Sequence, residues 1–211
     1  MLTATYHEIR DRIAPGDVIA FGGSGHFSQL IKRVLSYPVS HVGVVYELGE
    51  DVERRVMVIE STSLYDQKGV QLNALSRHVE NYDGELWWLP LSRDTRLRMD
   101  FERFVDFGRA HLGKPYDFRQ AVGAAIDVKI GFPFWREQRE LFEQDEDYSA
   151  FFCSEYVAAA YEYAHAIPPV NASEQTPADV IRWNLYHCAI QILGEPMEIP
   201  DLGTVELWGA P

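Results

Sequence analysis

Ser40-His41-Val42-Gly43-Val44-Val45 is the stretch that decides the fold, because a histidine stands at the head of a run of β-branched residues. Such a run predicts a strand, and residues 54–61 predict the next one. If the two strands form a hairpin with a symmetric turn at Glu50-Asp51, His41 lies directly opposite Glu60. Directly opposed residues share one face of a sheet. The sequence therefore predicts a contact between His41 and Glu60, provided that no β-bulge shifts the register.

A cysteine in the second half of the chain is a candidate nucleophile that could pair with this histidine. Cys153 is expected to open an apolar helix that runs to about Ala166. The start of a helix carries partial positive charge and N–H groups without intrahelical partners, which favour a thiolate and make the Cys153 N–H a candidate oxyanion donor. His41 would exchange protons with the thiol, and Glu60 would orient the imidazole ring.

Two structural alternatives stay open for these residues. A lone cysteine in an apolar helix is usually an inert core residue. For Glu60, the alternative is a strand that simply ends in solvent. Cys188 is interpreted as a core residue, and a disulfide between Cys153 and Cys188 remains an alternative to two reduced thiols.

Apolar spacing and turn signals predict the remaining elements of a single α+β domain over residues 1–211. Two aromatic segments, 132–135 and 148–152, flank the acidic run 143–147 and are expected either to pack the domain or to cover a cleft. Strands are expected at 17–21, 69–75, 85–91, 186–193 and 204–208, and helices at 27–35, at 96–111 and after Thr176, with Thr176 as N-cap and Pro177 in the first helical position.

Composition excludes several classes of function. A net charge of −13, from 19 basic and 32 acidic residues, disfavours nucleic acids and anionic lipid surfaces. No apolar run reaches the roughly 18 residues of a membrane span, so no integral membrane segment is expected. The first residues lack the pattern of a signal peptide, which favours a reduced, cytoplasmic protein.

No cofactor and no metal site are expected. The glycine-rich stretch 22–26 lacks the Lys-Ser/Thr pair of a phosphate-binding loop. Five further histidines show no spacing with other ligand types that indicates zinc, namely His7, His78, His111, His165 and His187.

Four motifs follow one another along the chain: the strand of His41, Gly113-Lys114-Pro115-Tyr116-Asp117, Phe152-Cys153-Ser154-Glu155 and Thr176-Pro177. Taken in this order, they resemble the permuted NlpC/P60 proteins of the YiiX/YebB-like type, and the resemblance covers roughly residues 15 to 193. These are papain-like cysteine hydrolases in which the His-bearing strands precede the Cys-bearing helix. The resemblance implies an α+β, circularly permuted papain-like domain with a small antiparallel barrel-like sheet packed against helices.

The same resemblance implies roles for individual residues. Cys153 would be the nucleophile, His41 the general base and acid, and Glu60 the polar third member. Tyr116 would line the substrate site, although packing explains it equally well. The implied substrate is a cell-wall-type peptide, and the alternatives are a lipid ester or amide, as in the lecithin:retinol-acyltransferase-like group, or a non-catalytic binding module. The sequence does not predict an oligomeric state.

Overall fold

The computed structural model describes residues 2–48, 55–62, 69–114 and 149–208. Several predicted features lie outside these ranges: the turn at Glu50-Asp51, the candidate substrate residue Tyr116, and the segments 132–135 and 143–147. The strands are β1 Leu2–Thr3, β2 Val18–Gly23, β3 His41–Leu48, β4 Val56–Thr62, β5 Gly69–Ala74, β6 Gly84–Leu89 and β7 Ile190–Leu193. The helices are α1 Tyr6–Ile9, α2 His26–Leu35, α3 Leu75–Asn81, α4 Arg93–Arg98, α5 Phe101–His111, α6 Ser149–Tyr163 and α7 Pro177–Arg182.

The strands form one sheet in the order β1-β7-β6-β2-β3-β4-β5. Neighbouring strands are antiparallel except β1 and β7, which are parallel. The α+β class is confirmed. The expectation of a small antiparallel barrel-like sheet is wrong for the described residues, because the sheet is mixed and open, with β1 and β5 at its two edges. None of the described helices is long and apolar enough to cross a membrane.

Both faces of the central strand β2 are covered. Val18 and Ala20 belong to one apolar core, and the alternate residues Ile19 and Phe21 belong to a second core on the opposite face. Helix α6 is part of the first core and packs against β3 and β4, with α5 and α7 beside it. This packing brings Cys153 of α6 to the two strands that carry His41 and Glu60.

Local hydrogen bonds explain where several elements begin. The helix expected over 96–111 is two helices, because the side chain of Asp100 accepts a hydrogen bond from the N–H of Arg103 and starts α5 anew. The predicted N-cap Thr176 is confirmed: it forms a reciprocal capping box with Asp179, and Pro177 is the first helical residue.

Two other element predictions need correction, and one helix beside the site was not predicted. The strand expected at 186–193 begins only at Ile190. The strand expected at 204–208 is reduced to a single bridge between Trp183 and Val205. Helix α3 was not predicted, because its seven residues are too few for a clear helical period.

The pairing of β3 with β4 differs from the predicted register. Val44 pairs with Ile59, and a β-bulge interrupts the ladder nearer the turn. Continued by one residue, this register places Glu60 opposite Gly43, so the prediction that His41 directly opposes Glu60 is wrong. The difference is two residues, an even number, so Glu60 stays on the face of His41 and becomes its diagonal neighbour.

Gly43 provides the space that this arrangement needs. A Cβ atom at Gly43 would lie 2.6 Å from Cγ1 of Val58 and 3.1 Å from Cβ of Glu60. The absence of a side chain at this position therefore lets the Glu60 side chain lie next to the β3 backbone.

Gly43→Ala is expected to lower the free energy of unfolding by about 1–3 kcal/mol, because overpacking a filled core is destabilising. Val58→Ala removes the nearest colliding atom, so G43A should cost less than half as much in the V58A background. Urea unfolding of the two single variants and the double variant gives the coupling energy. Strictly additive costs would contradict this account of Gly43.

Candidate active site

The structure brings together His41 from the start of β3, Glu60 from β4 and Cys153 from α6. Nε2 of His41 lies 2.5 Å from Oε2 of Glu60. The Cys153 side chain forms a hydrogen bond with the same imidazole ring. Because Glu60 engages Nε2, Nδ1 is the ring nitrogen left for the sulfur. Cys153 and Glu60 are fully buried, and His41 is 8% exposed.

The position of Cys153 in its helix differs from the sequence prediction. Helix α6 begins at Ser149, so Cys153 is the fifth helical residue and does not open the helix. Only the first four N–H groups of an α-helix lack intrahelical partners. The expectation that the Cys153 N–H is a free oxyanion donor is therefore wrong. Ser149, a residue type common at helix starts, was the available sequence signal.

Glu60 is held at both carboxylate oxygens. Oε2 contacts His41, while Oε1 accepts a hydrogen bond from Nδ2 of Asn73 at 3.0 Å and lies 2.8 Å from Nε2 of His78. Burial alone would raise the pKa of Glu60, but the charge of His78 and the hydrogen bond with His41 hold that pKa well below its ordinary value. The carboxylate is therefore ionised at neutral pH.

The imidazole of His41 is shifted in the opposite direction. Burial alone would lower the pKa of His41, but the negative charge of Cys153 and the hydrogen bond with it, together with the bond to Glu60, raise the pKa to about 10. At neutral pH the ring is consequently an imidazolium in contact with the sulfur.

An aromatic ring, that of Phe21, packs against both histidines of the site. The Phe21 ring packs edge-on against three neighbours, with centroid distances of 4.9 Å to His41, 5.1 Å to His78 and 5.2 Å to Tyr82. Burial and the negative charge of Glu60 raise the pKa of Tyr82, so its hydroxyl stays protonated. An apolar wall of this kind strengthens the interactions between the charges that it surrounds.

Sequence reasoning missed two residues of this site. Asn73 follows Gln71, the pairing partner of Glu60, by two positions and therefore shares its face of the sheet. A correct strand register would have found it. His78 lies on α3, and without that helix no local pattern connects it with Glu60.

Cys153 and Cys188 are not joined by a disulfide, so that alternative is not realised. Cys188 is only half-buried, and burial raises the pKa of its thiol. Among residues 2–48, 55–62, 69–114 and 149–208, no group of three or more His, Cys, Asp or Glu side chains is arranged to hold a metal ion.

The chain is similar in structure to a solved protein. No protein-family model matches the chain, and no curated protein matches it. The crystal structure of the metalloprotein yiiX from Escherichia coli O157:H7 is similar at 19% sequence identity and a TM-score of 0.43, over 72% of this chain and 66% of that one, just under two thirds of its length. At this level of similarity, the roles of His41, Glu60 and Cys153 rest on the geometry of the site itself.

Glu60→Gln is expected to lower the free energy of unfolding by about 3–5 kcal/mol near pH 7, because it leaves buried histidine charge without its partner. The native protein lowers the pKa of Glu60, so the stabilisation is complete above about pH 4.5 and is lost as the pH falls through the native pKa. The difference in the free energy of unfolding between wild type and E60Q should therefore be smaller at about pH 3.5 than at about pH 7.

Urea unfolding at the two pH values measures this difference. Glu80→Gln is the matched control, since Glu80 is an exposed carboxylate on α3, and it should change stability by less than about 0.5 kcal/mol at either pH. An E60Q difference of equal size at both pH values would show that the ionised carboxylate is not what stabilises the site.

Proposed function

We propose that the chain is a cysteine hydrolase that cleaves an amide through a thioester at Cys153. The observation that carries the proposal is the position of the His41 ring. This ring contacts the Cys153 side chain, and its Nε2 contacts the Glu60 carboxylate. A nucleophile, a base and a residue that orients the base are thereby within reach of one another.

In the first half of the proposed reaction, the Cys153 sulfur attacks the substrate carbonyl carbon and a C–S bond forms. The carbonyl electron pair moves to oxygen and returns as the C–N bond breaks. The His41 imidazolium donates its proton to the departing nitrogen, which leaves as an amine. The products of this half are a thioester on Cys153 and a neutral imidazole.

In the second half, the neutral imidazole of His41 takes a proton from water while the water oxygen attacks the thioester carbonyl. The C–S bond breaks, a carboxylic acid leaves, and the thiolate–imidazolium pair is restored. Glu60 stays ionised throughout and stabilises each imidazolium that forms. Protons and electrons balance without a further reactant.

Charge favours a peptide over an anionic lipid as the substrate. The chain carries a net charge of −13, which repels surfaces of anionic phospholipid. The motif resemblance supports a cell-wall-type peptide with a γ-glutamyl link, bound in part by Tyr116, on a circularly permuted papain-like domain. A lipid ester or amide is the alternative within the same chemistry.

The complete burial of Cys153 favours a second candidate, a non-catalytic binding module built on the same fold. A thiol that no substrate reaches would be a packing residue. Reactivity of Cys153 separates the two candidates: an activated and reachable thiolate reacts with iodoacetamide at about pH 6 much faster than a free thiol, whereas a packed thiol reacts more slowly.

Cys153→Ala and His41→Ala are each expected to lower kcat/KM by at least about a thousandfold on the best substrate found in parallel assays of cell-wall peptides and phospholipids. Cys188→Ala is the control and should keep activity within about twofold, because Cys188 lies outside the cluster. Hydrolysis that persists in C153A would contradict the mechanism, and slow alkylation of Cys153 would favour the binding module.

A further inference from the structure

A second histidine lies on the far side of the Glu60 carboxylate. His78 is fully buried, and its Nε2 lies 2.8 Å from Oε1 of Glu60, whereas His41 contacts Oε2. Each carboxylate oxygen therefore has its own imidazole. Asn73 adds a neutral hydrogen bond to Oε1.

In the mechanism proposed above, the charges of the cluster balance only when His78 is counted, because the thiolate of Cys153 and the imidazolium of His41 neutralise each other. The negative charge of Glu60 then needs another positive partner, because an uncompensated buried charge is strongly unfavourable. Asn73 is neutral, and the salt bridges that the structure gives to Glu60 are with the two histidines.

The fold holds His78 in this position firmly. Its helix α3 is anchored by Leu75, which is fully buried, and the N–H of Tyr82 donates a hydrogen bond to the carbonyl of His78 at 2.8 Å. Phe21 packs edge-on against the His78 ring. The contact between His78 and Glu60 is thus built from three separate parts of the chain.

We propose that His78 is a positioning residue that carries positive charge against Oε1 of Glu60 and thereby keeps this carboxylate ionised and aligned on His41. The role depends on the proposed function, since it serves the His41–Cys153 pair. His78 touches neither the sulfur nor a reacting atom and acts through Glu60. The titratable groups of the surrounding cluster are Glu60, His41, Tyr82 and Cys153.

The first test is the charge of His78 in the wild-type protein. Side-chain ¹⁵N NMR at about pH 7 should show both ring nitrogens of His78 protonated. A singly protonated ring would overturn the proposal. This measurement requires neither a substrate nor a variant, so it remains decisive if the His78 variant does not fold or if the chain does not hydrolyse any amide.

The second test is His78→Gln, which keeps a hydrogen-bond donor but removes the charge. The ¹³C signal of the Glu60 carboxyl should titrate at least about one pH unit higher in H78Q than in wild type, a tenfold or larger change in proton affinity. In His187→Gln, where an exposed histidine is replaced, the midpoint should not move.

Activity then separates this inference from the proposed function. The acid limb of kcat/KM should move upward in H78Q while KM stays within about twofold, because the substrate does not contact His78. A Glu60 midpoint or an acid limb that coincides with wild type would overturn the role of His78 and leave the hydrolase mechanism intact. If C153A retains hydrolysis while the Glu60 midpoint shifts in H78Q, the hydrolase mechanism fails and the charge assignment stands.

Discussion

The site depends on the buried carboxylate of Glu60, which lies between the imidazoles of His41 and His78. Glu60 is removed from water, and the contacts of its two oxygens with His41, His78 and Asn73 compensate the cost of burying its negative charge. The carboxylate in turn raises the proton affinity of His41, the ring that the Cys153 thiol meets. Loss of either imidazole contact would therefore weaken the charge pairing of the whole cluster.

The architecture of the sheet brings residues that are distant in sequence together at this buried site. A sheet covered on both faces has room for α6 on β3 and β4, while α3 lies against β4 and β5. The cluster sits where these layers meet, and Gly43 leaves the space that the Glu60 side chain occupies. Tertiary packing, more than any local motif, brings Cys153, His41, Glu60 and His78 together.

Local sequence patterns were sufficient to predict the strands of the site, but not the start of α6, the strand order or the position of His78. The β-branched runs predicted β3 and β4, and the contact of His41 with Glu60 survived a wrong register because the error was an even number of residues. The start of α6 was misplaced by four residues, because the apolar pattern alone places it at Cys153 while the helix begins at Ser149. The strand order and the contribution of His78 rest on long-range packing and on a seven-residue helix, which a single sequence encodes only weakly.

The proposed function requires that Cys153 and His41 form a thiolate–imidazolium pair in the resting protein. Thiolate ultraviolet absorbance, taken as the difference between wild type and C153A at about pH 6, measures this directly. We predict about one thiolate per chain, which disappears when His41 is replaced by alanine. A difference spectrum without thiolate absorbance at that pH would show that the thiol is neutral and would contradict the account.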